Sequence, residues 1–311
     1  MNDSAQGHRL PQNNAIDVER LVKRFGDYAA VDGLDLTVRT GEVHGFLGPN
    51  GAGKSTTIRV LLGLYHATAG RVRVLGIDPA AHAAEVTRRI SYVPGEVNLW
   101  SNLTGQQVLD ALAGMRGTRD AAAERRLVAD FALDTRKVVR AYSRGNRQKV
   151  ILVAAFAART ELLVLDEPTS GLDPLMEELV QRCVREAAAE GRTVLLSSHI
   201  LAEVEQLCDS VTIIKDGRLV ESGRLDDMRH LAASEVTATL RDDQVFAVAG
   251  GLRSIGLTDP AAADRDLHLS VPRQHVSAVL SLLAGMDAQD ITCTPARLED
   301  LFLRHYQVAP C

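Results

Sequence analysis

Nine consecutive residues, Gly48, Pro49, Asn50, Gly51, Ala52, Gly53, Lys54, Ser55 and Thr56, set three glycines, a lysine and two hydroxyls side by side. Glycines admit the positive φ that lets successive backbone N–H groups turn inward, which makes a concave seat for phosphate. Lys54 would add a point charge at the β- and γ-phosphates, and the Ser55 hydroxyl could bind Mg²⁺. Such a loop works between a strand and a helix, because the helix N-terminus contributes its own partial positive charge. Both neighbours comply. "GEVHGFLG" is a short apolar strand ending in glycine, and "KSTTIRVLLGLY" carries Ile58, Leu61, Leu62 and Leu64 at helical spacing.

Three further stretches offer chemistry. "LLVLDEP" drives an apolar strand into Asp166 and Glu167. Asp166 by itself reads equally as a helix cap, but beside a phosphate loop it is placed to hold the Mg²⁺ shell. Glu167 alternates to the other side of the strand end, where it could polarise an attacking water or stand simply solvated. "SSHI" ends another strand, and its His199 could reach the γ-phosphate and the water. "AYSRGNRQKV", Ala141 to Val150, is basic and runs straight into "ILVAAFAA". It reads as a turn, as a basic patch, or as part of an active site completed elsewhere.

The elements that must position these groups follow from periodicity. Strands are expected near Ile16–Leu21 and Leu34–Arg39, then in "RVRVLG", "ISYVPG", "ELLVLDE", "TVLLSS", "SVTIIKDG" and "RLVESG". Helices are expected in "PAAHAAEVTRR", over Thr104–Leu133, over Asn146–Ala158, in "PLMEELVQRCVREAAAE" and in "ILAEVEQLC". Nearly all-apolar strands alternating with helices imply an α/β fold with a buried, largely parallel sheet. A helical subdomain is inserted at about residues 97–160. The core domain spans 15–223, and residues 224–311, with strands in "SEVTATL", "LHLSV" and "DITCT", form a small α/β domain.

Composition narrows the function. With 46% apolar and 24% charged residues the chain is globular. A net charge of -5 argues against a broad nucleic-acid footprint, so no nucleic-acid partner is expected. Cys183, Cys208, Cys293 and Cys311 have no paired spacing, which fits a reducing compartment. Residues 1–14 are polar, without an apolar secretory segment, and read as a disordered lead. No apolar run approaches the ~20 residues that cross a bilayer; the run Val150–Ala158 stops at Arg159.

In order, the nucleotide loop, "YSRGNRQKV", "LVLDEPTSGLDP" and "SSH" resemble the ATP-binding cassette family, the ATPase subunits of ABC transporters, over roughly residues 16–223. The resemblance implies a P-loop NTPase fold, ATP and Mg²⁺ as cofactors, and two copies docking head to tail on ATP. Ser143 and Gly145, with Asn146, would then contact the γ-phosphate held by the other copy, and Asp173 of "SGLDP" would cross the same interface. Phe25 stands where the family stacks an aromatic on adenine, although a plain core phenylalanine is the other reading. Glu167, His199 and Lys54 take the catalytic positions, while Ser55 and Asp166 take the metal positions. The sequence departs from the family twice. Arg144 and Asn146 replace a glycine and a glutamine of the signature, and Gly95 in "YVPGEVNLW" replaces the usual metal-binding glutamine, with Glu96 one residue later as the oxygen that could substitute.

The tail "CTPARLEDLFLRHY" is similar to the end of daunorubicin- and tetronasin-type exporter ATPases, with Leu298, Leu301, Phe302 and His305 on one helix face. That similarity implies drug or antibiotic efflux through a separate integral membrane permease. The chain would then sit peripherally on the cytoplasmic face of the membrane. Leu99 or Trp100, in "YVPGEVNLW", reads either as a docking anchor for the permease or as an ordinary subdomain contact. Non-transport relatives carry paired cassettes or long coiled coils, which this sequence lacks. A sensor that binds ATP without turnover is disfavoured by the intact Lys54, Asp166, Glu167 and His199.

Overall fold

The computed structural model describes residues 14–231, 234–241, 244–257 and 266–294. Its contacts divide the chain into two units, Met1–Ser222 and Gly223–Cys311.

The first unit opens with an antiparallel hairpin, β1 (Asn14–Phe25) and β2 (Tyr28–Arg39), turning at Gly26 with φ 57°. The chain continues through β3 (Val43–Leu47), α1 (Lys54–Leu61), β4 (Ala69–Val74), α2 (Ala83–Arg88) and β5 (Ile90–Val93). The helices α3 (Gly105–Arg116), α4 (Ala121–Asp130) and α5 (Arg144–Phe156) follow. Next come β6 (Leu162–Asp166), α6 (Pro174–Ala189), β7 (Thr193–Ser198), α7 (Leu201–Leu207), β8 (Ser210–Lys215) and β9 (Arg218–Arg224). Six strands form one sheet in the order β5-β6-β7-β3-β8-β9, with β5, β6, β7, β3 and β8 parallel to one another.

Every residue of β3, β6 and β7 is buried, as expected of parallel strands covered on both faces. Successive side chains of β6 serve opposite faces. Leu163 and Leu165 join Val108, Phe131 and Leu152, whereas Leu162 and Val164 join Leu34, Ile58 and Leu61. Two cores therefore clamp one strand, and its last residue, Asp166, emerges in a fixed place.

A second sheet, β2-β1-β4, is wholly antiparallel. The expectation of a parallel sheet thus covers the six-stranded sheet but not this one. Alternating apolar and polar residues near Ile16–Leu21 and Leu34–Arg39 mark β1 and β2; nothing local in the sequence specifies their pairing. Both strands also run longer than the alternation suggested. The helical stretch Thr104–Leu133 is two helices. Thr104 and Gln107 close a capping box at the start of α3, Gly117 ends it at φ 80°, and Asp120 caps α4 by accepting from Ala122 and Ala123. Likewise α5 begins two residues before Asn146, because the Ser143 side chain caps it.

The second unit contains α8 (Leu225–Leu231), β10 (Ser234–Thr239), α9 (Val245–Ser254), β11 (Asp266–Val271), α10 (Arg273–Gly285) and β12 (Gln289–Thr294). Its antiparallel sheet, β11-β10-β12, packs Val236, Leu267 and Val271 with Leu252, Val279 and Leu283 from the helices. Leu298, Leu301, Phe302 and His305 lie outside the described residues. Among the described residues no helix is long and apolar enough to cross a membrane.

Candidate nucleotide site

The C-terminal ends of β3, β6 and β7 lie side by side, with Leu47 opposite Ser198 and Asp166 opposite Ser197. Parallel α/β sheets bind ligands at that edge. β3 leads into the glycine loop, β6 into Asp166 and Glu167, and β7 into His199. Gly48 and Glu167 are tied to β7, their backbone N–H groups donating to Ser198 O (3.3 Å) and Ser197 O (3.1 Å).

Two glycines of the loop have no substitute. A Cβ on Gly48 would stand 2.5 Å from Ile214 O, and one on Gly53 2.6 Å from Ala30 O, with Gly53 already at φ 102°. Gly53 caps α1 without a side-chain bond, which leaves the first helical amides to meet an anion. Lys54 is the first residue of α1 and is 5% exposed. Its Nζ donates to Gly48 O at 2.6 Å and Pro49 O at 3.2 Å, and stands 3.5 Å from Glu167 Oε1. The ammonium is thus held over the loop, where a phosphate would replace carbonyls as its partner.

A cleft of about 250 Å³ is lined by Phe25, Tyr28, Pro49, Asn50, Gly51, Gly53, Lys54, Ser55, Thr56 and Glu167. Phe25 is 45% exposed at the end of β1, which sets aside the core reading. Its ring meets Tyr65 edge-on at 5.4 Å, and Lys23 lies over it. One ring face bordering the cleft suits an adenine base. A larger cavity of about 860 Å³ lies beside the N-terminal ends of β6 and β7, near Arg192 and Cys183. It holds none of the phosphate-loop residues, so its size does not make it the site.

The adjacent carboxylates address different partners. Asp166 is buried, and the Ser197 hydroxyl donates to its Oδ1. Glu167 Oε1 stands 3.3 Å from His199 Nδ1 in addition to Lys54. Glu167 has φ 49° and is the one cleft-lining residue other than glycine in the left-handed region. The Tyr92 phenol is pushed up to about 12, first by burial and then by the Asp166 charge, and stays neutral.

Ser55 and Asp166 offer hard oxygens, which suit Mg²⁺. Among the described residues no group of three His, Cys, Asp or Glu side chains could hold a metal alone. Gly95 abuts Asp166, with a Cβ there 3.3 Å from Asp166 O, while Glu96 is exposed on the same loop.

The signature residues do not join this cleft. Ser143 caps α5, accepting from Asn146 N at 3.2 Å, and its exposed hydroxyl keeps its proton to donate. Arg144 donates to Ser170 Oγ at 3.3 Å, and buried Gln148 donates to Pro168 O at 2.9 Å. Gly145 lies against Gly171, and exposed Asp173 caps α6 through Met176 N. These groups therefore form a second set, packed on the loop that follows Glu167. Sequence reasoning missed Tyr28, Ser197, Gln148 and Ser170. Ser197 stood in plain view two residues before His199; the others gave no local signal.

The pattern of the ABC transporter family matches residues 31–170. The chain is 38% identical over 304 residues to daunorubicin resistance ATP-binding protein DrrA3 of Streptomyces coeruleorubidus, covering 94% of this chain and 95% of the relative. It is 38% identical over 212 residues to bacitracin transport ATP-binding protein BcrA of Bacillus licheniformis, covering 67% and 69%. A solved ATP-binding subunit of an ABC transporter superposes with a TM-score of 0.65 at 33% identity, covering 69% of this chain and 92% of that one. With the phosphate loop, the strand-end carboxylates and the capped signature helix in place, these likenesses assign the chain to the ABC transporter family, as one of its ATP-binding, ATP-hydrolysing subunits.

Proposed function

We propose that this chain drives export of drugs, antibiotics or similar hydrophobic compounds, dimerising head to tail on ATP and pushing a separate membrane permease from the cytoplasmic face. The observation that carries the reading is the division of the site into two sets. The cleft with Lys54, Ser55 and Glu167 excludes Ser143, Gly145, Asn146 and Asp173, and Ser143 stands exposed at a helix start. An exposed hydroxyl beside helix N-terminal amides is a second anion cradle, fit for the γ-phosphate of another copy. Two copies related by a two-fold axis would then complete each other's pockets. The drug-resistance and bacitracin-transport relatives support the export reading.

In this reading Phe25 stacks on adenine, while the amides from Gly48 to Thr56 and Lys54 bind the phosphates. Ser55 and Asp166 hold Mg²⁺, which when bound neutralises charge at the phosphate oxygens. Glu167 takes a proton from the attacking water, and His199 orients the water against the γ-phosphate. Glu96, exposed on the loop that carries Gly95, would supply a further oxygen to the ion. Burial between two faces excludes bulk water.

Mixing Lys54→Ala with Ser143→Ala protein tests the pairing. A mixed dimer has one pocket with both defects and one with neither, so random pairing restores up to roughly a quarter of wild-type turnover. If both variants fold and dimerise and their mixture stays inactive, the shared pocket is refuted.

A further inference from the structure

Two loops leave neighbouring strands carrying Glu167 and His199, and one carboxylate joins them. Thr169, two residues after Glu167, donates its hydroxyl to Glu203 Oε1 at 2.6 Å. Ser198, the residue before His199, donates to Glu203 Oε2, also at 2.6 Å. Ser198 Oγ in turn accepts from Ile200 N at 2.9 Å, so both neighbours of His199 are fixed to the same hydroxyl. On the other loop, Ser170 N donates to Glu167 O at 3.1 Å, closing the turn that holds Thr169.

Glu203 sits half-buried in the first turn of α7. Both its oxygens accept short hydroxyl bonds, the length expected when the acceptor is charged. Among the described residues no cation pairs with it. A carboxylate kept for solubility would face water or a lysine; this one spans two loops.

The span matters because the contact between Glu167 and His199 cannot fix their geometry. His199 is 45% exposed and Glu167 25%, and ion pairs so exposed are weak. Glu167 also rests at φ 49°, a conformation that persists only where its surroundings enforce it.

We infer that Glu203 is a positioning residue, clamping the Glu167 loop to the His199 loop so that both groups meet the same water. It is not among the residues that line the nucleotide cleft. The inference rests on the hydrolytic roles given above to Glu167 and His199.

The test uses the full chain, with steady-state ATPase kinetics and binding of a fluorescent ATP analogue measured on the same preparations. Glu203→Ala is expected to lower kcat about 10- to 100-fold, the scale of a displacement near 1 Å in a catalytic group. The dissociation constant for the analogue should stay within about 2-fold, because the phosphate loop is untouched. Glu203→Gln should recover part of the loss, accepting from one hydroxyl and donating to the other. Thr169→Val combined with Ser198→Ala should reproduce the defect, and adding Glu203→Ala to that pair should change little. Unchanged kcat in Glu203→Ala, an equal loss of analogue binding, or additive losses in the triple variant would each overturn the clamp. The Thr169 and Ser198 variants decide the matter if Glu203→Ala does not fold. Glu167→Gln run in parallel separates the two failures. If it abolishes turnover while Glu203→Ala does not, only the clamp is wrong; if it leaves turnover intact, the reading of the site falls and the clamp with it.

Discussion

Exchanging Glu167 for Gln should move binding and turnover in opposite directions. Glu167 Oε1 lies 3.5 Å from Lys54 Nζ. A phosphate oxygen bonded to that ammonium at about 2.8 Å must stand within about 6 Å of the carboxylate. Two unit negative charges about 5 Å apart repel by about 3 kcal/mol at an effective dielectric of 20. Glu167 is a quarter exposed, and solvent and salt reduce the repulsion to ~1 kcal/mol. The amide keeps the shape and drops the charge, so Mg-ATP should bind about 5-fold more tightly. It also removes the proton acceptor, and turnover should fall by about 10²- to 10⁴-fold. Phosphate release and equilibrium nucleotide binding, measured on one preparation, read both effects. Gel filtration at saturating Mg-ATP should show a persistent dimer. Near-normal turnover, weaker ATP binding in a folded variant, or monomer alone on the column would refute the reasoning.

Phe25→Ala should weaken ATP binding by about 5- to 150-fold, the range of base–aromatic stacking, while the melting temperature changes little because the ring is half exposed. An affinity for inorganic triphosphate that falls in parallel would point to damage of the loop instead. Glu96→Ala should raise the Mg²⁺ concentration for half-maximal ATPase by about 3- to 10-fold if its carboxylate reaches the ion. An unchanged Mg²⁺ dependence would remove Glu96 from the metal shell.

What could be read from the sequence was local. The phosphate loop is a backbone conformation written within nine residues, so glycine positions and the flanking strand and helix were enough. The strand ends at Asp166 and Ser198 were legible for the same reason, since the change from an all-apolar run to a polar pair marks where such a strand stops. The ties between loops were not. Gln148 reaches Pro168 across 20 residues, Ser197 reaches Asp166 across 31, and Thr169 reaches Glu203 across 34. Each is an ordinary polar residue whose role exists only after β6, β7 and α5 have packed. The antiparallel sheet was hidden likewise, because alternation fixes a strand's buried face but leaves its partner open. The start of α5 was misjudged for a smaller reason. Arg144 and Gly145 look like loop residues until Ser143 is recognised as the cap.

The pair Asp166–Glu167 shows how the fold points identical chemistry at two different sets of partners. A continuing strand would turn the second side chain to the opposite face of the sheet. Instead β6 ends at Asp166, and the positive φ of Glu167 swings the chain over its edge. Asp166 stays in the buried layer with Ser197 and Gly95, while Glu167 projects to Lys54 and His199. Glycine would adopt φ 49° freely, whereas an L-residue in the left-handed region costs about 1–2 kcal/mol. The chain carries that cost because glycine has no carboxylate to aim. The strain is tolerable because β6 is packed on both faces and the next turn is bonded to α5 and α7, so the segment cannot relax without breaking those contacts. Rigidity below the site and strain within it are therefore parts of one arrangement.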